Sequence, residues 1–118
     1  MYNNRYYCNG NLTRDPEFKQ IQTNGEQKGL VTFRVAVNEP IGNGREETLY
    51  IDVDGWNHHV NYAKAVNLSK GDRVTITGML KMRSWDGPDG TKRTAYSIKP
   101  KTFSKIVTPG SVQNSESF

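Results

Sequence analysis

The chain has 118 residues, with 16 Lys and Arg against 12 Asp and Glu for a formal net charge of +4, a mass of 13.4 kDa and a mean hydropathy of −0.78. That length makes one domain, able to bury a core without a metal or disulfide staple, and no window approaches the ~18 apolar residues of a membrane span. A single cysteine, Cys8, excludes an intramolecular disulfide or a cysteine-based metal cluster, and the basic balance leans toward polyanionic partners. The opening Met1-Tyr2-Asn3-Asn4-Arg5-Tyr6-Tyr7 has no basic segment followed by an apolar stretch, so it does not read as a secretion signal, and a cytosolic-type compartment is expected.

In chain order, Arg5 to Leu12 and Phe18 to Gln22 are expected to supply one first strand, bent near Gly10 or Pro16, with Cys8 as a small core residue. After the turn Thr23-Asn24-Gly25, the run Leu30 to Asn38 sets Val31, Phe33, Val35 and Val37 on one face and Thr32, Arg34 and Ala36 on the other. Pro40-Ile41-Gly42-Asn43-Gly44 ends it. In the next strand Leu49, Ile51 and Val53 oppose Tyr50, Asp52, Asp54 and Trp56, so two large aromatics fall on the polar face. Asn57 to Asn67 is the one helix candidate, with Asn57 as N-cap and Val60 and Ala63 at helical spacing.

Ser69-Lys70-Gly71-Asp72 returns the chain to the sheet. From Arg73 to Arg83, Val74, Ile76, Leu80 and Met82 point inward against Arg73, Thr75, Thr77, Lys81 and Arg83, and Trp85 continues the basic parity. Asp86-Gly87-Pro88-Asp89-Gly90 is a strong hairpin signal, followed by a last strand from Lys92 to Val107. Residues 108–118 are polar and without pattern, and are expected to form a short disordered tail beyond a domain spanning 1–107. Five strands with one short helix between the third and fourth give an all-β chain in the order of an OB-fold, a five-stranded Greek-key barrel.

Tyr50, Trp56 and Trp85 therefore share an outward face with Arg34, Lys81 and Arg83, and Lys92 and Arg93 follow the hairpin. Unpaired bases stack on aromatic rings for roughly 1–3 kcal/mol each while cations neutralise phosphates, and neither contact reads base identity. The competing reading makes these rings ordinary barrel or interface aromatics, since Trp is highly buried on average.

Other chemistry is thin. Asp52 and Asp54 lie about 7 Å apart on one strand face, but no third acid converges on them for metal catalysis. His58 and His59 are adjacent, so a helix does not aim them together. The glycine-rich turns lack the lysine of a phosphate-cradling loop. Neither catalysis, a metal nor a cofactor is expected.

Gly10-Asn11-Leu12-Thr13-Arg14-Asp15-Pro16-Glu17, Phe33-Arg34-Val35-Ala36-Val37-Asn38, Tyr50-Ile51-Asp52-Val53 with Trp56, Ser69-Lys70-Gly71-Asp72-Arg73-Val74-Thr75-Ile76-Thr77-Gly78, and Arg83-Ser84-Trp85 before the hairpin resemble, in order, the bacterial-type single-stranded DNA-binding protein family. The resemblance covers roughly residues 5 to 107. It implies an OB-fold, sequence-independent wrapping of single-stranded DNA in replication, recombination and repair, and a homotetramer built from dimers, with base stacking at the positions of Tyr50, Trp56 and Trp85. The strand around Arg5 to Leu12 is the expected pairing edge between subunits.

Three departures stand out. Glu39 to Gly44 holds no stacking aromatic, Asp54 occupies a position that the family commonly fills with an apolar residue, and the end Ser111 to Phe118 carries a single acid, Glu116, in place of the acidic tip that recruits replication and repair proteins. They motivate an alternative, a primosome-type accessory subunit that keeps the barrel but binds DNA weakly.

Overall fold

The computed structural model describes residues 3–107, and in it six strands and one helix follow as β1 (Tyr6–Leu12), β2 (Glu17–Thr23), β3 (Glu26–Gly42), β4 (Arg45–Trp56), α1 (His58–Ala65), β5 (Arg73–Asp86) and β6 (Lys92–Ile106). The first strand foreseen in the sequence is two. At its end the backbone changes partners: Leu12 donates to the Asp72 carbonyl and Thr13 to the Arg34 carbonyl, each at 2.9 Å. Pro16, which has no N–H to give a ladder, then stands before β2. The helix consequently falls between the fourth and fifth strands. The tail expected at 108–118 lies outside the described residues.

The pairings close a ring. The sheet runs β1-β5-β6-β4-β3-β2, and β1 also meets β3 at Asn11↔Ala36 and Leu12↔Val35. Five strands, β1-β5-β6-β4-β3, thereby form a closed barrel with β2 as a flap on β3. The pairing of β4 with β6 is parallel while the other pairings are antiparallel, which is what makes the connection through α1 and β5 necessary. The β2–β3 and β3–β4 turns each place two residues at positive φ, Asn24 and Gly25 in one and Asn43 and Gly44 in the other, the pairing that suits a tight hairpin's twist.

Inside, Val31, Phe33 and Val35 of β3 meet Ile51 and Val53 of β4, Val74 and Ile76 of β5, Ile98 and Phe103 of β6, and Cys8 and Leu12 of β1. Each large aliphatic side chain so buried contributes roughly 1.5–3 kcal/mol. The short helix closes one end with Val60 and Ala63, and Tyr62 packs edge-on to Phe103 while its hydroxyl accepts from the Lys105 amide at 2.9 Å.

Inward parity does not guarantee burial. Leu49 is 50% exposed and Met82 62% exposed, and Val37 and Leu80 are only partly covered. The β3–β4 and β5–β6 hairpins outrun the barrel, and beyond its rim, among the described residues, no second layer covers Leu49 and Met82. Asn57 precedes α1 but makes no side-chain cap; it sits at φ 54°, tied by its amide to the Gly29 carbonyl at 3.0 Å.

Candidate nucleic-acid interface

Strand register assembles the outer face. Arg34 on β3 stands opposite Asp52 on β4, Asp52 is parallel-paired with Ser97 on β6, and Ser97 stands opposite Lys81 on β5. This row of four crosses four strands of the barrel wall. Along β4, Tyr50 and Trp56 share its face, two residues before Asp52 and four after. Tyr50 is 54% exposed and Trp85 40% exposed, while Trp56 is half-buried as the cross-strand partner of buried Leu30.

Cations sit against the rings. The Arg34 guanidinium lies 5.7 Å from the Tyr50 ring centroid, and that of Arg83 4.6 Å from Trp85. Both fall within the range where a cation is held by a ring's face, so each arginine rests against its ring. Arg34 also reaches Asp52, Nη1 to Oδ1, at 3.3 Å.

Asp54 is set differently. It stands opposite Thr32, with Ser97 beside it and Lys81 and Arg83 as nearby charges. Its pKa is raised, first by burial and second by Asp52, with Lys81, Ser97 and Arg83 pulling the other way. A recess of about 190 Å³ opens beside it, lined by Leu30, Trp56, Lys81, Ser97 and Lys99 among others. A second, of about 180 Å³, joins Asp52 and Asp54 to Arg83. Among the described residues no group of three or more His, Cys, Asp or Glu is placed to hold a metal ion.

The eight residues expected at the site divide. Arg34, Tyr50, Trp56 and Lys81 come together on the barrel wall, and Arg83 joins them where the β5–β6 arm departs. Trp85 lies further out on that arm, opposite Arg93. Arg93 is engaged with Asp89, Nη2 to Oδ2, at 3.5 Å, and Lys92 pairs in register with Asp86, so these two occupy the arm's tip rather than the wall. Ser97 and Lys99 were not foreseen; the outward parity of the last strand was the signal for both. Phe18 was not foreseen either: it is 41% exposed with the Lys64 ammonium 5.3 Å from its ring centroid, and only the pairing of β2 with β3 brings that strand near the helix.

A closed five-stranded barrel with a helix at one end and exposed rings on its outer wall is an OB-fold domain. The profile of the Single-strand binding protein family matches residues 3–106, and the chain belongs to that family. It is 34% identical over 96 residues to Single-stranded DNA-binding protein 2 of Chlorobaculum tepidum, covering 78% of this chain and 63% of that one. Against the Single-stranded DNA-binding protein of Deinococcus radiodurans it is 32% identical over 116 residues, 89% of this chain and 35% of the relative. The chain thus spans between about a third and five-eighths of the length of these two relatives.

Among solved structures, the small single-stranded DNA-binding protein of Streptomyces coelicolor superposes with a TM-score of 0.72 at 23% identity, covering 91% of this chain and 97% of that one. The Plasmodium falciparum SSB in complex with ssDNA superposes with a TM-score of 0.71 at 20% identity over the same shares.

Proposed function

We propose that the protein binds and protects single-stranded DNA without marked sequence requirement, in replication, recombination and repair, as a stoichiometric binder that makes and breaks no covalent bond. The observation that carries this is the exposure of Tyr50 and Trp85, each with an arginine over its ring. Rings open to solvent are available to unpaired bases, and the arginines are placed to meet the phosphates beside them. The DNA-binding set is Tyr50, Trp56, Trp85, Arg34, Lys81 and Arg83, with Lys92 and Arg93 extending the track along the arm. Such work is cytoplasmic, in a bacterial cell or in the host of a phage. Intrinsic Trp fluorescence titrated with poly(dT) at two salt concentrations tests the reading. Quenching that weakens steeply with salt supports it; unchanged fluorescence and no retention of labelled single strand at low salt overturns it.

Assembly into a homotetramer built from dimers has its own support. Residues Tyr6 to Gly10 of β1 pair with β5 on one side, and β3 reaches β1 only at Asn11 and Leu12. Among the described residues the other edge of Tyr6 to Asn9 therefore has no strand on it, and such edges are normally covered. A groove of about 790 Å³ follows that edge, bounded by Tyr7 and Asn9 on one side and Asn38 and Leu49 on the other. A second copy's β1 is the proposed occupant, and a solution mass near 13.4 kDa by light scattering would refute it.

A further inference from the structure

The recess beside Asp54 has the parts of a seat for one nucleobase. Trp56 and Leu30 line it with apolar surface, Lys81 and Lys99 line the same recess, and Asp54 and Ser97 are its oxygen-bearing side chains. Stacking and cations accept any nucleotide, but a carboxylate does not. Ionised, it donates nothing and offers about four lone-pair sites. Cytosine, adenine and guanine each carry an exocyclic amine on the edge that pairing would otherwise occupy, whereas thymine has none there and flanks its single N3–H with two carbonyls. A base seated beside Trp56 is thus welcomed where it turns an exocyclic amine toward Asp54, and the thymine N3–H, hemmed by two carbonyls that repel the carboxylate, is the poorer donor.

Resting on the single-strand reading above, we propose that Asp54 reads the edge of the base held against Trp56 and favours amine-bearing bases over thymine, a preference that the two pyrimidines, alike in size, isolate. The binder is then tolerant along most of its track and selective at one position. Asp52 does not share this role, because Arg34 already occupies it at 3.3 Å. Asp54 sits between Trp56 and the row of Lys81 and Ser97, where a stacked base presents its edge.

The test compares oligo(dC) with oligo(dT) of equal length on the full chain and on Asp54→Val and Asp54→Asn, at pH 8 and constant salt, with circular dichroism confirming that each variant is folded. Removing the charge tightens binding of both oligonucleotides together, so the ratio of affinities is the readout. The dC-to-dT ratio of the wild type should exceed that of Asp54→Val by about fivefold or more, at the lower end of what a well-made base contact discriminates. An oligonucleotide of N4,N4-dimethylcytosine, which keeps the ring and loses the donors, should bind the wild type no better than dT does. Equal ratios in wild type and Asp54→Val, or undiminished binding of the dimethyl analogue, overturn the proposal while leaving the single-strand reading intact. Failure of the wild type to retain either oligonucleotide overturns that reading instead.

Discussion

Arg34 and Asp52 face one another across β3 and β4 with 3.3 Å between Nη1 and Oδ1, both side chains close to half exposed at 43% and 47%. An ion pair so exposed stabilises the fold by only about 0–1 kcal/mol. Its larger effect is on what the guanidinium is free to do, because a phosphate must compete with Asp52 for it. Asp52→Asn is therefore expected to leave folding almost unchanged and tighten single-strand binding several-fold. The slope of log affinity against log salt should steepen by about 0.7, one phosphate contact on a single strand. Arg34→Ala should shift affinity and slope the opposite way. Titrations at four salt concentrations decide it, and a flatter slope for Asp52→Asn would refute the competition.

Trp85 and Trp56 should separate binding from stability. Trp85 stands on the projecting arm, 40% exposed with Arg83 over its ring, so Trp85→Ala is expected to weaken single-strand binding by about 1–3 kcal/mol and leave the unfolding free energy within about 0.5 kcal/mol. Trp56→Ala should lower both, since Trp56 is the cross-strand partner of buried Leu30. Paired denaturant melts and binding isotherms on the two variants check the contrast.

Gly10 is where β1 crosses β3. A Cβ there would stand 2.9 Å from the Ala36 carbonyl oxygen and 3.1 Å from the Val35 Cβ, and the first of these is backbone that cannot swing aside. Gly10→Ala should destabilise the barrel by about 1–3 kcal/mol through overpacking, and Gly10→Val by more. Urea unfolding followed by circular dichroism measures both, and wild-type midpoints would show that the ring closure is looser than the register of β1 on β3 implies.

His59 should tie stability to pH. Burial and the neighbouring His58 hold its pKa below the usual 6.5, against the hydrogen bond between Nε2 and the Pro100 carbonyl at 3.1 Å. Between its folded and unfolded pKa values the unfolded chain binds the extra proton. The stability this neutral imidazole contributes is thus fully present above about 6.5 and is lost as pH falls from there toward the folded pKa. Urea midpoints at pH 8, 7, 6 and 5 should decline, and His59→Phe should flatten the decline even if it lowers the whole curve. An equal slope in both proteins would assign the pH dependence to other groups.

Alternation in the sequence determined the strands around Val31 to Val37, Ile51 to Val53 and Val74 to Ile76, the one short helix, and the shared parity of Tyr50, Trp56, Arg34, Lys81 and Arg83, because strand side chains alternate faces whatever lies around them. Partnership between strands was decided only by the tertiary structure. Register set Arg34 against Asp52 and carried Lys81 to the same row through Ser97, while the length of the hairpins beyond the barrel rim left Leu49 and Met82 exposed despite their inward parity. The same register gave Asp54 a recess beside Trp56 where the sequence showed only a carboxylate two residues from another. Periodicity is a local property of the chain; the depth at which a residue sits, and what faces it, depend on which distant strand the backbone hydrogen bonds select.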